Sequence, residues 1–409
     1  MIASTGQEIS PRRWLMISLV FWATVVNYLD RQALSVAAPV LTEQFHMSDV
    51  VYSRVVSAFM FAYTISNGIS GPLIDRLGTR LGYAVCIAWW SAASVLHALV
   101  RGAWSLGIFR FLLGIGEAGN WPAGVKVVAE WFPENERALA CGIFNSGSSI
   151  GAVFAPPLVA FIVIAFGWQW AFLTIGLLGF LWLFFWWPIY HTPAAAAQAS
   201  SLTETEKPPS AWTLFRHRFV WTFTISKIFF DPAWYFYIFW FPKYLKQARN
   251  FDMAHIGMYG AIPFIVAGLG NLLGGALVAW LLRSGLSVTV ARKGATTFFI
   301  VLMAAAIPAV LTQSTVLAFA FVSIAMMGYT GANANLLAFP ADVFPKNAVG
   351  SIWGLASMGS GFGGMLFTLV TGWVVEHYSY TPVFIGFGLM PLICATILWT
   401  ACGKLERHA

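Results

Sequence analysis

The sequence predicts an all-α integral membrane protein, with twelve transmembrane helices in two six-helix bundles and both termini on the cytoplasmic side. Of 409 residues, 59% are hydrophobic and 10% charged, whereas a soluble domain carries about a quarter charged residues. Twelve apolar windows approach the roughly 20 helical residues that cross a hydrocarbon core about 30 Å thick. Sliding the chain by 212 residues superposes Phe132, Pro133, Asn135, Gly142, Gly147, Ser148 and Gly151 on Phe344, Pro345, Asn347, Gly354, Gly359, Ser360 and Gly363 without a gap. That repeat matches a layout of two parallel halves. Helices are required because an open strand would leave backbone N–H and C=O groups unpaired in lipid.

The windows cover residues 14–38, 52–72, 81–99, 103–128, 138–166, 169–189, 219–245, 257–282, 293–311, 315–338, 349–375 and 381–402. Span 1 follows Arg12 and Arg13 and is too long for a removable leader, so it is expected to stay in the membrane. The polar stretch 192–207 reads as a cytoplasmic linker. This gives an N-terminal bundle (1–190), a linker (191–217) and a C-terminal bundle (218–409). With the termini inside, fourteen Lys and Arg face the cytoplasm and five (Arg54, Arg101, Lys243, Lys246, Arg249) the other side, as the positive-inside rule requires. Lys243, Lys246 and Arg249 are an outer cluster, expected to be an ordinary solvated loop.

Other classes are excluded. The net charge of +7 comes from Lys and Arg scattered through apolar runs, not the basic face that nucleic acid demands. Cys86, Cys141, Cys394 and Cys402 have neither C-x-x-C nor metal-ligand spacing, so no disulfide framework or metal site is expected. Gly114-Ile-Gly116-Glu-Ala-Gly119 and Gly359-Ser-Gly361-Phe-Gly-Gly364 match a dinucleotide fingerprint, but no strand precedes them. Gly147-Ser-Ser149-Ile-Gly151 matches a hydrolase elbow but lies inside span 5. They read as packing glycines, and no enzyme is expected. Gly147/Gly151, Gly270/Gly274 and Gly359/Gly363, at i and i+4, would let helix backbones approach closely.

Charges inside the spans carry the functional reading, because each costs about 2.5–3.5 kcal/mol or more at the bilayer centre and is retained mainly for a pathway. Span 1 holds Asn27, Tyr28, Asp30 and Arg31; span 4 holds Arg110 and Glu117; span 7 holds Lys227 and Asp231. Asp30, Arg31 and Arg110 lie at similar depth, with Glu117 near the centre. Lys227 and Asp231, at i and i+4, share one face. No His is mid-span, His97 closing span 3, so carboxylates must handle protons. An arginine that trades a carboxylate for substrate changes that carboxylate's proton affinity, which is a coupling mechanism. Arg31, with its planar fork, is the candidate anchor for an anionic substrate. Trp234 and Tyr235, beside Lys227, Asn145 and Asn335, would suit the apolar faces and hydroxyl edges of a polyhydroxy acid, and Trp353 of span 11 joins this set.

The loop Gly71-Pro-Leu-Ile-Asp75-Arg76-Leu-Gly78-Thr-Arg80, with Arg110-x-x-x-Gly114 in span 4, resembles the signature of the major facilitator superfamily. The resemblance implies that Gly71, Asp75, Arg76, Gly78 and Arg80 gate the cytoplasmic side, Asp75 facing a helix N-terminus of the other half. Asn27-Tyr-Leu-Asp30-Arg31-Gln, Glu136-Arg-Ala-Leu-Ala-Cys-Gly-Ile-Phe-Asn145-Ser-Gly and the stretch from Lys227 to Leu245 are similar to the hexuronate transporters of its anion:cation symporter family. That resemblance implies proton-driven uptake of a sugar-acid anion across a bacterial inner membrane by a lipid-embedded monomer, with no cofactor beyond the coupling protons. It makes Asp30 and Glu117 the protonatable pair, Arg31 the carboxylate anchor, Arg110 a partner of Glu117, and Tyr28 and Tyr63 substrate contacts. Galactonate transporters of the family have Gln where Ser148 stands here, which favours a hexuronate over an aldonate. An organic-anion or phosphate-ester antiporter stays open: it would use Arg31 and Lys227 without a titrating acid.

Overall fold

The computed structural model describes residues 11–193, 216–344 and 346–405. The middle of the expected linker therefore lies outside the described residues. Among the described residues there is no β-strand. The helices are α1 (Arg12–Gln44), α2 (Asp49–Leu77), α3 (Thr79–Leu96), α4 (Ala103–Glu117), α5 (Asn120–Trp131), α6 (Glu134–Phe166), α7 (Trp168–Ile189), α8 (Arg218–Phe230) and α9 (Pro232–Arg249). They continue as α10 (Met253–Tyr259), α11 (Ile262–Arg283), α12 (Val288–Met303), α13 (Ala306–Leu311), α14 (Thr315–Leu336), α15 (Phe339–Val343), α16 (Lys346–His377) and α17 (Tyr380–Thr400). Eight helical stretches among the described residues are long and apolar enough to cross a membrane. Their outer faces carry large apolar side chains such as Leu272 and Phe184, each 72% exposed, as a lipid-facing surface requires.

Several windows that read as single spans are broken in two. At four such breaks the second piece starts with proline in its first three residues, Pro122 in α5, Pro232 in α9, Pro263 in α11 and Pro308 in α13, and Pro340 opens α15 in the same way just past the tenth window. A proline has no N–H to donate and its ring crowds the carbonyl four residues back, so the helix restarts there with proline in its tolerated first turn. The break at Pro232 leaves Asp231 at the joint between α8 and α9. The turn from α2 to α3 passes through Gly78 at φ 77°, a left-handed conformation that a Cβ would strain.

The glycine pairs put backbone against backbone. A Cβ on Gly147 or Gly151 of α6 would stand 2.6 or 2.7 Å from the carbonyl oxygens of Phe21 and Val25 on α1. Gly359 and Gly363 of α16 meet the carbonyls of Thr224 and Ile228 on α8 in the same way, and Gly270 and Gly274 of α11 meet Met327 and Gly331 on α14. Gly274→Val is therefore expected to force α11 off α14 and destabilise the protein by about 1–3 kcal/mol, the cost of overpacking. Gly275→Ala, where a Cβ meets nothing within 4 Å, should not lower the unfolding temperature in detergent and should raise stability by up to about 1 kcal/mol, the gain from Ala over Gly inside a helix.

Helices before residue 193 and after 216 are joined at the end of the molecule away from the termini. There Tyr52 Oη donates to the Phe239 carbonyl at 2.7 Å, Glu376 accepts from the Val50 N–H at 2.7 Å, and Lys243 pairs with Asp49. This overturns the solvated-loop expectation for Lys243 and Arg249, while Lys246 of the same cluster is exposed. Lys243 is 1% exposed within α9, over the Tyr52 and Trp240 rings, and Arg249 bonds to Tyr244 Oη and the Ala309 carbonyl. At the other end Arg13 pairs with Glu136, Lys126 with Asp75 and Arg292 with Asp342, each within one group of helices.

Candidate functional site

α1 delivers Tyr28, Asp30 and Arg31 to the interior, where Arg31 is 5% and Asp30 1% exposed. Glu117, fully buried, ends α4, and its Oε2 accepts from Arg31 Nε at 2.6 Å. The Arg31 guanidinium carbon lies 4.4 Å from the Tyr63 ring centre, 5.2 Å from Tyr28 and 5.7 Å from Phe59. An aromatic cage thus holds the cation through ring faces and leaves hydrogen-bonding capacity free: Arg31 Nη2 and Glu117 Oε1 are buried with no partner. The ion pair is thus closed by one hydrogen bond of ordinary geometry, and the nearest further polar side chains are Tyr63 beside Arg31 and Asn27 beside Glu117.

Arg110 was expected to partner Glu117; the two lie close enough to interact through charge, but the direct ion pair to Glu117 is made by Arg31. Arg110 Nη1 donates to the Asp30 carbonyl at 3.4 Å, and its Nε and Nη2 are unpartnered. Glu117 sits at the last residue of α4, two turns beyond Arg110, where Arg31 of α1 is nearer. Asp30 accepts a short hydrogen bond from Ser94 of α3, and its Oδ2 is free. His97, read only as a helix end, is fully buried and stacked on Phe172 with ring centres 5.0 Å apart.

A second polar cluster lies across the interior. Lys227 Nζ donates to Asp231 Oδ1 at 2.9 Å and to Asn333 Oδ1 at 3.0 Å, and Tyr329 Oη donates to the same Asp231 oxygen at 2.8 Å. The Lys227–Asp231 pair follows from their spacing. Tyr329 and Asn333 were missed, although their own i and i+4 spacing in an apolar span was a usable signal. Trp234 stacks on Tyr329 at 5.0 Å, and Trp353 lies 5.7 Å from Lys227 Nζ. Tyr235 lies between the clusters: its hydroxyl bonds Ser360 at 3.2 Å, and its ring stacks at 6.3 Å on Phe239, itself 6.1 Å from the Phe59 ring of the Arg31 cage.

Not every candidate joins. Asn335 is buried with its Nδ2 committed to the Gly331 carbonyl at 3.0 Å. Asn145 is half-buried on α6, and among the described residues neither cluster's hydrogen bonds include it. In the signature loop, Asp75 binds Lys126 Nζ at 2.7 Å with its side chain 71% exposed, so it is not seated on a helix N-terminus of the other half. Lys126, on α5, takes that place instead. Arg80 bonds the Trp187 carbonyl at 2.6 Å and covers its ring. Gly71 has open space where a Cβ would project, and Arg76 is exposed.

Comparison with known proteins decides the family. The Major Facilitator Superfamily model matches residues 20–368. The chain belongs to the major facilitator superfamily. This transporter is 32% identical over 410 residues to the hexuronate transporter of Escherichia coli K12, covering 96% of this chain and 95% of that one. It is 36% identical over 282 residues to the galacturonate transporter of Dickeya chrysanthemi, covering 66% and 82%. A crystal structure of a bacterial homolog of the human lysosomal transporter Spinster has the same fold, with TM-score 0.75 at 18% identity over 96% of each chain. The protein is a transporter of the sugar-acid branch of its superfamily, and not an enzyme.

Proposed function

We propose that this transporter takes up a hexuronate together with protons across a bacterial inner membrane, by alternating access between two six-helix bundles with both termini inside. In this reading α1, α2, α4 with α5, and α8 with α9 join the eight apolar stretches to make twelve spans. The observation that carries it is the Arg31–Glu117 pair with its vacant donor and acceptor. A substrate carboxylate that docks on the Arg31 fork displaces Glu117, which then takes up a proton; release of substrate restores the pair and frees the proton. Substrate and proton are thereby bound together, as symport requires. Asp30, between Ser94 and the Arg110 environment, is the second proton site. The Trp234–Tyr329 stack and the Lys227 cluster offer a ring face and hydroxyl partners to the sugar. The bonds between Asp49, Val50, Tyr52 and α9 or α16 close the outer side, leaving the inner side as the route of release. The identity to hexuronate and galacturonate transporters supports the same substrate class.

Quenching of the 20 Trp during titration tests the substrate. Galacturonate and glucuronate are expected to bind more tightly than galactonate or glycerol phosphate. Tightest binding of glycerol phosphate would favour the antiporter, and of galactonate an aldonate carrier.

A further inference from the structure

We propose that Asp231 sets the charge of the cargo: by neutralising Lys227 it restricts the site to acids with one carboxylate and excludes dicarboxylic sugar acids. This rests on the sugar-acid reading above and deepens it. Of the three buried cations in this interior, Arg110 is turned to the Asp30 main-chain carbonyl, and the two that face the proposed site, Arg31 and Lys227, are compensated differently. Arg31 is held by one bond to Glu117, whose other oxygen is vacant, so protonation of Glu117 releases a full positive charge for one substrate carboxylate. Lys227 is tied to Asp231 Oδ1 at 2.9 Å, and that oxygen is fixed from its other side by Tyr329 Oη at 2.8 Å. Both members are buried, at 4% and 3% exposure, so solvent screens neither charge. A second carboxylate brought to Lys227 would meet a carboxylate already in contact with the ammonium, and buried like charges repel strongly.

The same cluster is suited to hydroxyl groups. Lys227 has a third N–H beyond those given to Asp231 and Asn333, the Asn333 amide adds donors, and Asp231 keeps a second oxygen as acceptor. A neutral ion pair with both donors and acceptors recognises a hydroxyl, which can give and receive, without demanding net charge. A run of rings connects the two ends: Phe59, 5.7 Å from the Arg31 guanidinium, lies 6.1 Å from Phe239, which stacks on Tyr235 at 6.3 Å, and the adjacent Trp234 stacks on Tyr329 beside Asp231.

The test is binding of galacturonate, with one carboxylate, against galactarate, with two, to purified protein. The wild type should prefer galacturonate. Asp231→Asn frees the charge of Lys227 and should move the preference at least tenfold towards galactarate, and Lys227→Met added to it should abolish that shift. Tyr329→Phe removes a bond but no charge, so it should weaken both acids alike and leave their ratio unchanged. Lys227→Met alone leaves Asp231 unopposed and should deepen the rejection of galactarate, which provides the readout if Asp231→Asn fails to fold. An unchanged ratio in either charge variant would overturn the proposal. A wild type that binds neither acid would overturn the sugar-acid reading itself and the proposal with it.

Discussion

Arg31→Lys is expected to weaken galacturonate binding by about 1–3 kcal/mol, roughly ten- to a hundredfold, although the charge is kept. The guanidinium bonds Glu117 through Nε and presents Nη2 unpartnered, while three aromatic rings hold its plane. An ammonium has no second prong to offer a carboxylate and fits the cage poorly. Arg31→Ala should abolish binding and also lower stability by about 3–5 kcal/mol, because it leaves a buried carboxylate without its partner. Calorimetry and thermal unfolding separate the two effects: Arg31→Ala with Glu117→Gln should recover stability and not binding. Unaltered affinity in Arg31→Lys and Arg31→Ala alike would move the anchor to Lys227.

Glu117→Gln should separate exchange from accumulation. The amide mimics the protonated acid, so substrate-for-substrate counterflow survives, whereas accumulation driven by a proton gradient is lost. In the wild type a proton is taken up as substrate binds, so affinity falls as pH rises, by up to about tenfold per unit for one proton; in Glu117→Gln that dependence should flatten. Asp30→Asn should differ, impairing binding as well as accumulation, since it removes the negative charge that adjoins Arg31 in the chain and lies beside Arg110, whose Nη1 bonds the Asp30 main-chain carbonyl and stays in place. Counterflow and accumulation measured for both variants in proteoliposomes decide this. Full accumulation by Glu117→Gln would reduce Glu117 to a structural partner of Arg31.

What the sequence made legible follows from the range of each signal. Composition and apolar windows revealed the helical membrane architecture because lipid constrains every residue of a span. They missed the breaks, since a proline in a first turn leaves hydropathy untouched. Depth along a helix was readable, so Asp30, Arg31, Arg110 and Glu117 were placed in one layer; the face each presents to its neighbours was not, and Arg31 rather than Arg110 took Glu117. Lys227–Asp231 was legible because both partners share a helix, whereas Asn333 reaches Lys227 from α14. The repeat is also only partly informative. Arg80 and Arg292 stand 212 residues apart, as do Glu130 and Asp342. Arg292 binds Asp342 at 2.6 Å, yet Arg80 turns to Trp187 while Glu130 accepts from Thr79 and Tyr190. Lys243 read as a loop residue by position, and the residues that bury it include Asp49 and Tyr52, nearly two hundred residues away.

Proton movement during uptake tests the central claim most directly. Purified transporter is placed in sealed liposomes containing a trapped pH indicator, with equal pH and equal salt on both sides. Adding galacturonate outside should acidify the lumen in step with uptake of the labelled acid, in the absence of sodium, and Glu117→Gln should abolish the acidification. Uptake without acidification, or uptake that follows a sodium gradient, would contradict the account.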